Sequence, residues 1–205
     1  MYQYEAVTQT PTTIERRRGR PAAASREDVL HLALNRYLHG ERVDVRAIAA
    51  ELGLGRTTIY RWFGSREGLV GETVAQAAEP LFDEARAGAK GRGGAALLDT
   101  FDRINRALAA APALRSFLEL ERDGLRMLTS SGGVIHRRAV AKIESFIEAE
   151  VRAGAYDPPV DTSTLAYAIV RLAEAFLFND ATAAMRGDVE RLREIEAALL
   201  GVRSS

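Results

Sequence analysis

The stretch from Asp44 to Phe63, DVRAIAAELGLGRTTIYRWF, constrains the fold of this chain more than any other. Its apolar residues form two short helical sets separated by a glycine, and the spacing predicts a helix-turn-helix corner. The Asp44 carboxylate can accept from the free amides of an opening turn. It starts a first helix that carries Ile48, Ala49 and Leu52 at core-facing spacing. Gly53 ends that helix, because a tight corner needs one residue that takes positive φ at no steric cost, and Ala49 leaves room where the two backbones approach. Leu54 fills the corner. A second helix from about Arg56 turns Ile59 and Phe63 inward, four apart on one face. Its outer face carries Arg56, Thr57, Thr58, Tyr60, Arg61 and Trp62, a set of donors, methyls and an aromatic edge on a rod narrow enough for a DNA major groove.

The longer run IAAELGLGRTTIYRWFGSREGLV resembles the DNA-binding signature of the TetR family of bacterial regulators, including the pair Tyr60 and Phe63 and the Ser-Arg-Glu-x-Leu of Ser65 to Leu69. By position in that motif, Arg56, Thr57, Thr58 and Arg61 are candidates for reading bases. Arg46, Tyr60, Trp62 and Arg66 are candidates for phosphate contacts. One departure is Gly55, where many members carry a residue that caps the recognition helix; glycine caps less well by a few tenths of a kcal/mol. The resemblance further implies a homodimer through the last two helices, a body that binds a small-molecule effector, and a helix joining head to body that carries the signal. The segments DTFDRINRALAAAPALRSFLE and TLAYAIVRLAEAFLFND are similar to the subgroup of this family that regulates degradation of quorum-signal lactones.

Charge is unevenly placed. The formal net charge is zero, yet residues 1–66 hold 11 arginines against 7 acids, and the remaining residues carry the compensating acidic excess. Residues 1–24 lack apolar periodicity and read as a disordered basic arm. Within it the extended Arg18-Gly19-Arg20-Pro21 places two guanidiniums, Arg18 and Arg20, for a minor groove next to the head.

The whole chain reads as all-α. Residues 25–70 form a three-helix head, opened by the capping box Ser25 to Asp28 with a stripe of Leu30, Ala33, Leu34, Tyr37 and Leu38. Residues 71–205 form a helical effector-binding and dimerisation body. The helix from about Arg66 to Ala87 contains Pro80, a candidate kink, and Gly88 to Gly94 is a glycine-basic turn. Further helices are predicted over Ala95–Ala110, Ala113–Leu128, Val134–Ala153 and Ser163–Met185, then one capped by Asp188 with the stripe Val189, Leu192, Ile195 and Leu199. The helix from Ser163 is apolar on nearly every side, which predicts burial against a second subunit in a four-helix bundle across a two-fold axis.

For an effector cavity the candidates are Phe101, Phe117, Leu118, Leu125, Tyr167, Phe176 and Phe178, with Glu121, Glu174, Asn179 or Asp180 as orienting polar groups. Other chemistries are excluded or disfavoured. The absence of cysteine removes disulfides, thiolate metal sites and cysteine nucleophiles, and suits a reducing cytoplasm. His31, His39 and His136 have no metal-ligand spacing and read as structural or exposed. Gly88 to Gly94 lacks a phosphate loop's ending, no serine elbow occurs, and the paired acids Glu119/Glu121 and Glu148/Glu150 point to different helix faces. No cofactor, metal, enzymatic activity or membrane span is expected. The expected function is ligand-responsive transcriptional repression by a homodimer on a palindromic operator, with an effector-free architectural DNA-binding protein as the alternative and a helical enzyme with an incidental head as a third reading.

Overall fold

A computed structural model describes residues 24–178 and 188–202, and among them every regular element is a helix. The arm with Arg18 and Arg20, the pair Asn179 and Asp180, and the stretch expected to extend a helix to Met185 lie outside the described residues.

Three helices make the head: α1 (Arg26–Leu38), α2 (Val45–Glu51) and α3 (Arg56–Phe63). Each begins where local chemistry dictates. Before α1 the Ser25 amide donates to Asp28 at 2.7 Å while the Asp28 amide donates to the Ser25 hydroxyl at 3.2 Å, a reciprocal pair that satisfies two free amides. These bonds, the backbone one foremost, hold the Asp28 carboxyl below its usual range. Asp44 accepts from the amides of Arg46 and Ala47 at 2.7 and 3.3 Å, and Gly53 takes φ +63° at the corner. The buried stripe of α1 is Val29, Ala33 and Tyr37; Leu38, expected inside, is 57% exposed. It lies one position past the face that meets α4.

Helix α4 (Arg66–Gly88) is the spine. Ser65 accepts from the Gly68 amide at 3.0 Å, and the helix runs unbroken through Pro80. Its first half packs against the head through Leu69, Val70 and Val74; its second half, with Phe82 and Ala85, belongs to the body. Around it stand α5 (Gly93–Ala110), α6 (Pro112–Leu120), α7 (Gly124–Thr129), α8 (Val134–Arg152), α9 (Thr162–Phe178) and α10 (Val189–Leu199).

Two differences from the sequence expectation matter for function. The helix expected over Ala113–Leu128 is divided into α6 and α7, with Glu121 extended at φ −102°, ψ 110° between them. The break lets Met127 and Leu128 join Leu114 and Phe117 against the apolar centre of the head, which residues 25–70 alone do not close. In α10 the buried line is Leu192, Glu196 and Ala197, whereas Ile195, expected in the stripe, is 38% exposed in the single chain.

Candidate functional site

The DNA-reading candidates divide by whether their charge is already used. Arg46 in the first turn of α2, and Arg56 and Arg61 on α3, are exposed and make no ion pair among the described residues. Thr57 and Tyr60 are exposed, and Thr58 and Trp62 are half-buried. Ile59 and Phe63 face inward, so α3 presents its polar side to solvent as its spacing requires. The Arg26 guanidinium stacks 4.5 Å from the centre of the Phe63 ring and pairs with Glu72 of α4, which ties α3 to its neighbours. Gly55 supplies no side-chain cap, and the Thr58 amide donates to the Gly55 carbonyl at 2.9 Å instead.

Arg66 is different. It is bonded to Glu121, which is only 6% exposed and also accepts from Arg42 at 3.3 Å. Glu121 was expected to orient an effector and Arg66 to contact phosphate; they meet instead at the junction of head and body. The reason is the break after α6, which aims Glu121 at the start of α4 rather than into the body. A second tie joins Arg126 of α7 to Glu67 of α4 at 2.8 Å.

The body contains a cavity of about 800 Å³ walled by α4, α5, α8 and α9, with α1, α6, α7 and α10 contributing at its ends. It exists because alanines, among them Ala77, Ala78, Ala107, Ala111, Ala139 and Ala173, stand where helices face one another. Larger side chains there would fill the space. Of the residues expected on its wall, Phe101, Glu174 and Phe178 are present. Phe117, Leu118, Glu121, Leu125, Tyr167 and Phe176 are not on it. Phe117 packs edge-on against Tyr37, and Leu118 joins the head's apolar cluster. Leu125 is exposed and Phe176 is buried elsewhere on α9. Tyr167 meets His136 edge-on from outside the cavity, at 5.5 Å between rings.

Asn105 and Glu196 escaped the sequence reading, and His136 was read there only as structural or exposed. His136 is buried on the cavity wall and donates from Nδ1 to Glu174 at 2.6 Å, while Arg171 holds the other Glu174 oxygen at 2.7 Å. Asn105 donates to both oxygens of Glu196, at 3.0 and 3.3 Å. Burial pushes the Glu196 carboxyl up to about 7, only partly opposed by the Asn105 bond. A signal for Glu196 was present, since it falls one turn after Leu192 on the inward line of α10. No group of metal-ligating side chains occurs among the described residues. No helix there is long and apolar enough to cross a membrane.

Comparison with known proteins follows the same division. Residues 40–73 match the model for bacterial regulatory proteins of the tetR family, and residues 92–201, more than half the chain, match the Tetracyclin repressor-like C-terminal domain. The R. erythropolis transcriptional repressor QsdR of the TetR family superposes with a TM-score of 0.81 at 28% identity, over 88% of this chain and 96% of that one. The TetR family repressor AlkX from Dietzia sp. strain DQ12-45-1b, implicated in biodegradation of n-alkanes, shares the fold at a TM-score of 0.54 and 22% identity, over 86% of this chain and 97% of its own. No curated protein sequence is matched. With its exposed, uncommitted arginines on a helix-turn-helix head and both halves matched, the chain belongs to the TetR family and is a DNA-binding transcriptional regulator rather than an enzyme.

Proposed function

We propose that the protein is a homodimeric repressor that leaves a pseudo-palindromic operator when a small, largely apolar molecule occupies the cavity of the body. The observation that carries this reading is the continuity of α4. One rigid helix begins at Arg66 beneath the recognition helix and lines the cavity with Val74, Ala75, Ala77, Ala78, Glu79, Leu81 and Phe82. A ligand that fits best when α4 is displaced therefore changes the position of the heads, and its differential affinity for the two arrangements sets how far the equilibrium moves.

On DNA, Arg56, Thr57, Thr58 and Arg61 read base edges, with phosphates held by Arg46, Tyr60 and Trp62, and by Arg66 once it leaves Glu121. Arg18 and Arg20 of the arm enter the adjacent minor groove. With about six to ten phosphates neutralised per dimer, log affinity against log salt slopes at roughly −5 to −9. The pairing surface is α9 with α10, which leaves Tyr167 and Ile195 exposed in the single chain.

Footprinting and sedimentation velocity test the reading together. A single protected palindrome bound by two chains, released by an apolar ligand in fluorescence anisotropy, supports it. Broad, unphased protection that no ligand alters identifies an architectural DNA-binding protein instead.

A further inference from the structure

Helix α7 is the shortest of the described helices. Its six residues are too few to hold a helix by themselves, so its place is set by what grips it at either side. One side belongs to the head. Met127 and Leu128 join the apolar cluster of Leu69, Val70 and Phe117, and Arg126 pairs with Glu67 in the first turn of α4. The C-terminal end belongs to α9. There the Arg171 guanidinium donates to the carbonyl of Thr129, the last residue of α7, at 2.6 Å, and to the Ser131 hydroxyl in the turn that follows. A cation at the end of a helix satisfies its free carbonyls and meets the negative end of the aligned backbone dipoles.

We propose that Arg171 is a positioning residue that fixes α7, and through it the DNA-binding head, to α9, giving the head a second mechanical link to the body beside α4.

Four partners hold Arg171 in one geometry. Besides Thr129 and Ser131, it donates to Glu174 at 2.7 Å and, from Nε, to the Tyr167 hydroxyl at 3.1 Å, both on its own helix. The buried Glu174 also accepts from His136 of α8 at 2.6 Å, which anchors the guanidinium to a second helix of the body. The planar fork of arginine spans such a set at once; the ammonium of a lysine, a point charge, does not. Leu128, next to Thr129, sits in the apolar cluster of the head and also on the cavity wall, where His136 and Glu174 lie. A shift of α9 therefore pulls on Thr129 and, one residue away, on the seat of the head. Coupling is reciprocal, so seating the head on DNA must in turn stiffen α9 through Arg171. The link through α4 does not pass through Arg171, and this separates the two routes by experiment.

Hydrogen exchange read by mass spectrometry tests this on the full-length protein, with a duplex that the wild type selects from a randomised pool. In the wild type, saturating duplex is expected to slow exchange in α7 and in the α9 amides around Arg171 by about fivefold or more, the lower end of ordinary coupling between sites. Arg171→Lys keeps a charge beside Glu174 and loses the fork to Thr129 and Ser131. In this variant the response of the first turns of α4 should persist, while that of α9 falls to within about twofold of none. Ser131→Ala removes one tie and leaves every buried charge in place, so the fold is kept and the α9 response should fall in the same direction. Urea unfolding of both variants shows that the comparison is made between folded proteins. If α9 does not respond in the wild type, or responds equally in the two variants, the proposal is overturned and α4 alone joins head to body.

Discussion

Arg66, the first residue of α4, is held by Glu121, the residue at which α6 ends, so a buried carboxylate of the body grips the base of the DNA-binding head. Glu121 directly follows the short helix that carries Leu114, and Leu114 lines the cavity. The ion pair therefore places a phosphate-contact candidate under the control of an element that a ligand touches. Arg66 is about one-third exposed, so water already screens its side of the pair, and the buried Glu121 keeps Arg42 as a partner when Arg66 leaves.

Glu121→Gln is expected to free Arg66 for the DNA backbone and to steepen the slope of log affinity against log salt by about one per head. Fluorescence anisotropy on a random duplex across a salt series measures this without knowledge of the operator. An unchanged or shallower slope means that Arg66 stays away from phosphate even when unpaired.

Arg56 begins α3, is exposed, and carries no ion pair among the described residues. Its replacement by alanine should cost about 1–3 kcal/mol per half-site and relax base preference at one position per half-site, because a guanidinium at that place reads guanine through two bonds. Selection from a randomised duplex pool reads both effects. If binding weakens uniformly across sequences, Arg56 is a phosphate contact instead.

Gly68 sits in the first turn of α4, where an added Cβ would fall 1.9 Å from the Phe63 carbonyl oxygen. Gly68→Ala must therefore move the end of α3 relative to α4, and is expected to destabilise the protein by roughly 1–3 kcal/mol and weaken operator binding beyond that loss. Urea unfolding beside anisotropy separates the two. A stable variant with full DNA affinity would show that the α3–α4 corner is not held at this contact.

Glu196 gives the protein a stability that depends on pH in the opposite sense to its capping aspartates. Burial raises its carboxyl from 4.5 to about 7, so between these values the folded state holds a proton that the unfolded chain has lost, and stability falls as pH rises through that window. The loss amounts to a few kcal/mol at most. Asp28, Asp44 and Asp161 are lowered by their caps, so their contribution disappears only under more acidic conditions, as pH falls. Glu196→Gln should flatten the decline between pH 5 and about 7 in urea unfolding; an equal decline in the variant assigns it to other groups.

The head was legible in the sequence because what makes it is local. Ser25 and Asp44 cap helices by bonds to residues two or three positions on, Gly53 takes positive φ where the chain must turn, and the spacing of Ile59 and Phe63 turns the arginines of α3 outward. The all-α class and most helix starts followed from the same short-range chemistry. Only tertiary structure decided which charges were free and where space was left. Arg66 meets Glu121 across 55 residues and Asn105 meets Glu196 across 91, and neither distance leaves a periodic trace. The break after Leu120, which sends Glu121 to the head, serves packing with a distant helix rather than any local propensity. Likewise the cavity is made by alanines that look like ordinary helix formers until α4, α5, α8 and α9 bring them face to face.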